Sequence, residues 1–218
     1  MSRGEPQHPV QPGEPAPDFT LPSVEREGTV SLADYRGKNP VLLCLFRGVF
    51  CPFCRRAIAL MGSIREKLLA IGVEALGITA TKPEHARVYY QYHPTRLPLA
   101  ADPELSTHRA YGIPRVQLTP EIRRAAQSVR INPTGELPEP LPLMQASEAL
   151  DRLDGFEPTE IDRQDERRQI TQPIGQFLVD RHGIVRWINV EGTKEGVAGI
   201  GKFPTAQELL AATQVLQR

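Results

Sequence analysis

Six consecutive apolar residues, Val41-Leu42-Leu43-Cys44-Leu45-Phe46, constrain this chain more than any other feature. An uninterrupted run of that length is a strand buried on both faces, which places it in the middle of a helix-covered sheet. A turn at Arg47-Gly48-Val49-Phe50 follows, and Pro52 opens a helix. Ala57, Met61, Ile64 and Leu68 recur at helical spacing, and Gly72 ends the helix. Val73 to Thr79 reads as a second strand, Pro83 to His93 as a helix and Leu97 to Ala101 as a third strand. Asp102 and Pro103 start the next helix as cap and first helical residue, and Gly112 closes it. Strands alternating with helices in this way predict a βαβ unit.

The last third carries a different pattern. Gly175 to Val179 and Ile184 to Val190 flank the tight turn Arg181-His182-Gly183 and predict an antiparallel hairpin, with Trp187 in the core. Thr205 caps a terminal amphipathic helix to Leu216. The predicted fold is therefore α/β, with a mixed central sheet flanked by helices. Between the halves, 113–171 holds seven prolines. Only short helical pieces fit there, near Glu121–Val129 and Ser147–Leu153, and a charged run from Asp162 to Arg168 closes it. We expect a surface insertion over 114–171 and not a second core. Residues 1–15, polar and Pro-rich, are expected to be a flexible arm, and 16–218 a single domain.

The chemistry concentrates at Cys51-Pro52-Phe53-Cys54, where the buried strand meets the helix. A C-x-x-C at that junction reads as a thioredoxin-like redox motif. Pro52 lacks an N–H and suits the first helical position, which makes Cys51 the N-cap. A thiolate there gains the free N–H groups and the positive end of the helix dipole. Such sites lower a thiol pKa from about 8.5 into the range of roughly 3.5–7.5. Arg47, Arg55 and Arg56 are close in sequence and add positive field. Cys54 lies one turn along on the same side, within reach of a disulfide. Cys51 is expected to be the more exposed thiol and the nucleophile, and Cys54 the resolving thiol.

Other readings weigh less. Structural zinc takes four ligands, whereas the third cysteine, Cys44, sits on the buried strand and the five histidines show no ligand spacing. Cys44 suffices as a small buried hydrophobe. Gly196 to Lys202 resembles a phosphate loop until Phe203, which cannot ligate Mg²⁺, so a tightly turning loop is expected. Lys+Arg 26 against Asp+Glu 26 argues against a nucleic-acid partner. No apolar run approaches the roughly 20 residues of a membrane span. The first 17 residues show no secretory apolar region, which predicts a cytoplasmic protein.

Ala16-Pro17-Asp18-Phe19-Thr20-Leu21-Pro22 and Val30-Ser31-Leu32-Ala33-Asp34-Tyr35-Arg36-Gly37-Lys38 resemble the opening of redoxins. These are peroxiredoxins of the alkyl hydroperoxide reductase and thiol-specific antioxidant family. Phe46 to Cys54, Ala101 to Glu104, Tyr111 to Ile113 and Phe177 to Val185 are similar to that family too. The resemblance implies a thioredoxin-like fold with an N-terminal extension. It implies Cys51 as the attacking thiol, with no metal or organic cofactor. The family pattern has Pro seven and Thr or Ser three residues before that cysteine; here Cys44 and Gly48 stand there. Its later arginine falls near Ile174, which is not arginine, so the usual peroxide-activating hydrogen bonds are either missing or supplied differently, by Arg47 or by an arginine of the insertion. Thioredoxins place a cis-proline opposite the C-x-x-C, and Pro173 is the candidate by position.

The resemblance thus implies a peroxide-reducing antioxidant enzyme, re-reduced by a thioredoxin-like protein or a low-molecular-weight thiol. It is compatible with a homodimer. The C-x-x-C keeps open a dithiol–disulfide reductase acting on protein disulfides. A third reading is a non-catalytic interaction module that binds through the insertion.

Overall fold

The computed structural model describes residues 8–217. Five strands form the central sheet: β3 (Val41–Phe46), β4 (Glu74–Thr79), β5 (Leu99–Ala101), β8 (Gly175–Val179) and β9 (Val185–Val190). Their order is β5-β4-β3-β8-β9, with β3, β4 and β5 parallel and β8 and β9 antiparallel. The expected mixed sheet is present, and β3 lies at its centre, buried at every position.

Because strand side chains alternate, β3 feeds two cores. Leu42, Cys44 and Phe46 face α1 (Pro52–Ala70), together with Met61, Ile64, Leu68 and Leu209 of the terminal helix α7 (Ala206–Ala212). Val41, Leu43 and Leu45 face the other way. They meet Leu21 and Val30 of a small hairpin, β1 (Thr20–Pro22) and β2 (Thr29–Ser31), and Tyr111. Helix α2 (Pro83–Tyr92) connects β4 to β5.

Several elements differ from expectation. Residues 8–15 do not form a free arm: Val10 donates to the Tyr111 carbonyl at 3.1 Å, and Gly13 and Glu14 bond across to Val185. Residues 1–7, the remainder of the expected arm, lie outside the described residues. The helix after β5, α3 (Ser106–Ala110), begins later than Asp102. Asp102 still stabilises its start, since the carboxylate accepts from the Thr107 N–H at 2.7 Å.

The insertion folds into α4 (Pro120–Ser128), a two-residue ladder of β6 (Arg130–Ile131) and β7 (Leu141–Pro142), α5 (Leu143–Asp154) and α6 (Glu160–Gln169). It is bound into the α1 side of the core, where Ile131, Leu137, Ala146 and Leu150 are buried. The charged run closing it is helix α6. Thr159 and Asp162 cap it reciprocally, and Asp162, Asp165 and Gln169 are buried on its inner face. A helix that buries polar side chains shows no apolar periodicity, which is why the sequence shows only a charged run there.

Candidate active site

The chain folds around Cys51 as the local physics requires. Cys51 has extended backbone angles and caps α1, with Pro52 at the first helical position. Its sulfur accepts the Cys54 N–H at 3.3 Å. The preceding turn depends on Gly48, whose φ of +148° and close approach to the Phe50 ring exclude a side chain. Thr81, just beyond β4, holds that turn by accepting the Val49 N–H at 3.0 Å.

Cys51 is not the exposed thiol expected of an N-cap. It is 3% exposed and Cys54 is fully buried, and both are free thiols. Burial works against a Cys51 thiolate. The hydrogen bond from the Cys54 thiol, the Arg47 charge and the Cys54 backbone N–H outweigh it and lower the pKa to about 7, while Glu191 opposes them. Cys54 goes the other way. Burial, the hydrogen bond it gives to Cys51 and the neighbouring thiolate charge raise its pKa well above the usual thiol range. The two shifts run in opposite directions, so Cys51 is the sulfur that gives up its proton first and Cys54 the one that keeps it.

Arg47 brings the positive charge to this pair. Its Nη1 lies 3.7 Å from the Cys51 sulfur, and its Nε donates to the Gln172 carbonyl at 2.7 Å. Its Nη2 donates to the carboxylate of Glu191, a residue that sequence reasoning missed. Burial disfavours the guanidinium charge, but Glu191 and then Cys51 more than restore it. Glu191 also accepts the Ile174 N–H at 3.2 Å and the Gly201 N–H at 2.6 Å. Gly201 belongs to the loop that resembles a phosphate site. With φ +78°, it approaches Phe53 so closely that a Cβ would lie 2.6 Å from the ring.

Arg55 is not spent on the thiolate. Its Nη1 donates to the Val49 and Phe50 carbonyls at 2.9 and 3.2 Å, below the active-site turn. Its other nitrogens engage Asp151 at 2.5 Å and Asp154 at 2.7 Å on α5, and the guanidinium lies 4.0 Å over the Phe156 ring. Arg56 adds Glu136 and Asp154. The expected field from Arg55 is therefore directed into the insertion, which is latched over the start of α1. Pro173 is buried beside the site, but its peptide bond is trans, as are all those among the described residues. The expected cis-proline is thus corrected. The Arg47–Gln172 and Glu191–Ile174 bonds hold that segment from both sides.

Cys44 is fully buried in the α1 core, and burial raises its pKa far above the thiol range. Among the described residues, no three His, Cys, Asp or Glu side chains converge on a point that could hold a metal ion. No helix among them is long and apolar enough to cross a membrane.

A family model described as the AhpC/TSA family matches residues 12–139. A Mycobacterium tuberculosis protein provisionally named a peroxiredoxin is 31% identical over 103 residues, 47% of this chain and 64% of the relative. The match therefore spans somewhat less than two thirds of that relative's length. A thiol-disulfide oxidoreductase, ResA, of Halalkalibacterium halodurans is 28% identical over 124 residues, 56% of this chain and 69% of its own. Two solved structures share the fold. Peroxidoxin BcpB of M. tuberculosis has a TM-score of 0.58 at 12% identity, covering 95% of this chain and 97% of its own. The reduced 2-Cys peroxiredoxin of Plasmodium vivax has a TM-score of 0.59 at 16% identity, covering 94% and 95%. The family model covers more than half of the chain, so the protein belongs to the AhpC/TSA family.

Proposed function

We propose that the protein is a thiol-dependent peroxidase in which Cys51 attacks a small peroxide and Cys54 resolves the product. The observation that carries this reading is a buried thiol held beside a guanidinium and the first free N–H groups of a helix. Cys51 is 3% exposed, yet the Cys54 thiol, the Arg47 charge and the Cys54 N–H bring its pKa down to about 7. A small peroxide can reach such a sulfur with little rearrangement, whereas a protein disulfide needs an open face.

The Cys51 thiolate attacks the terminal peroxide oxygen. The S–O bond forms as the O–O bond breaks, giving a sulfenic acid, and the departing alkoxide or hydroxide takes a proton from solvent. Arg47, 3.7 Å from the sulfur, is placed to donate hydrogen bonds to the peroxide oxygens as negative charge develops on them. Cys54 then attacks the sulfenic sulfur, releasing water and leaving a Cys51–Cys54 disulfide. Two equivalents of a low-molecular-weight thiol, or a thioredoxin-like dithiol, restore the pair by exchange.

The second reading, dithiol–disulfide exchange, is favoured by the direct contact between the two cysteines and by the ResA relative. One equivalent of hydrogen peroxide, followed by alkylation and peptide mass spectrometry, separates them. The peroxidase reading predicts a Cys51–Cys54 disulfide in the wild type within seconds and a trapped sulfenic acid in Cys54→Ser. Inertness to peroxide with rapid reduction of a protein disulfide would favour the second.

A further inference from the structure

Arg47 and Glu191 form an ion pair inside the protein, with side-chain exposures of 8% and 3%. An ion pair in that setting costs desolvation on both sides, and removing one partner strands the other. Its place beside a redox pair changes the charge arithmetic. With Cys51 as a thiolate, the cluster holds one positive and two negative charges. Once the disulfide forms, the thiolate charge is gone, and only Glu191 remains to neutralise Arg47. Among the described residues no other charged group accepts from Arg47, whose remaining contacts are the Gln172 carbonyl at 2.7 Å and the Cys51 sulfur at 3.7 Å.

The carboxylate is itself built in. It accepts two backbone N–H groups, from Ile174 at 3.2 Å and Gly201 at 2.6 Å, besides Arg47. The Gly201 contact needs a loop that reaches the Phe53 ring of the C-x-x-C, which only a glycine permits. Two segments, one before β8 and one before α7, thus converge to fix one carboxylate behind one guanidinium.

We propose that Glu191 is a positioning residue that serves as the standing counter-ion of Arg47, neutralising it when Cys51 gives up its charge, and so limits how oxidising the Cys51–Cys54 disulfide is. This rests on the reading that the two cysteines cycle between dithiol and disulfide. The ionisable groups facing Cys51 are Arg47, Cys54 and Glu191. Removing the Glu191 charge favours the thiolate, since a negative neighbour is lost. It disfavours the disulfide, since Arg47 is left uncompensated. A carboxylate that acted only as a clamp would give the opposite sign: Arg47 would drift, and the thiolate would be weakened.

The test equilibrates the full chain with glutathione and glutathione disulfide, so that one protein dithiol and one glutathione disulfide exchange for one protein disulfide and two glutathiones. Thiolate absorbance at 240 nm is titrated in parallel. Glu191→Gln keeps the shape and an oxygen for Arg47. We expect its thiolate to titrate about one unit lower. At pH 7 the exchange equilibrium then moves about fivefold toward the dithiol, about 20 mV by the two-electron conversion. Glu191→Asp keeps the charge but not the reach, and should stay within about twofold of the wild type, whereas a clamp role alone predicts a raised thiol pKa for it. Should Glu191→Gln fail to fold, the Asp variant decides by that same difference. A raised thiol pKa, or an unchanged equilibrium in Glu191→Gln, overturns the proposal. A wild type that forms no Cys51–Cys54 disulfide in any buffer overturns the proposed function beneath it, a result distinct from a disulfide that forms and does not shift.

Discussion

Arg47 places one terminal nitrogen 3.7 Å from the Cys51 sulfur and its other terminal nitrogen on Glu191. This relationship puts a permanent positive charge against a thiol that burial alone would keep protonated.

Replacing that charge therefore has a signed effect. Arg47→Met should raise the Cys51 pKa by one to two units, on the order of the shift a close opposite charge produces. The reaction with peroxide at pH 7 should slow by roughly ten- to a hundredfold. Titration of the 240 nm thiolate band and stopped-flow rates at pH 7 check both.

The wild-type rate should follow the thiolate. With a Cys51 pKa of about 7, peroxide reactivity rises through that pH and levels off above it. At two units below the midpoint, about 1% of the plateau rate should remain. A pH–rate profile between pH 5 and 9 measures this directly, and a midpoint near that of a free thiol would contradict the assigned electrostatics.

Arg55 joins the active-site turn to the insertion and should behave as a latch. Arg55→Ala leaves two half-buried carboxylates and two turn carbonyls without their donor. A destabilisation of about 2–4 kcal/mol is expected, measured by urea unfolding. Hydrogen exchange should speed up in α5, and Cys51 should become relatively more reactive to a bulky disulfide reagent than to hydrogen peroxide.

Gly48→Ser would restore a hydroxyl residue of the kind the wider family places there, and it should fail to help. The backbone angle is one that L-residues avoid, and a Cβ would lie 2.9 Å from the Phe50 ring. The expected cost is about 1–3 kcal/mol, seen as a lower melting temperature with no gain in peroxide rate.

The parts of this architecture that were legible in the sequence share a cause. The run Val41 to Phe46, the N-terminal Pro52 and the C-x-x-C are local signals, and each side chain acts within one turn or strand of where it is written. Glu191 was not legible because its partner Arg47 is 144 residues away and its other contacts are backbone N–H groups. Arg55 was visible as a charge beside the cysteines, but its direction is set by Asp151 and Asp154, which only the folded insertion brings near. Helix α6 was hidden because its buried face carries Asp162, Asp165 and Gln169 in place of apolar residues. Residues 8–15 order themselves through main-chain bonds to Tyr111 and Val185, which composition does not record.

The central claim is that a buried, Arg47-assisted Cys51 thiolate reduces peroxide and that Cys54 resolves it. The most direct test is the second-order rate constant of the fully reduced protein with hydrogen peroxide, alongside Cys51→Ser and Cys54→Ser. The account predicts a rate at least two orders of magnitude above that of a free thiol, abolished in Cys51→Ser. In Cys54→Ser the first turnover should persist and later turnovers should fail. A wild-type rate equal to that of a free thiol, or one unaffected by Cys51→Ser, would contradict it.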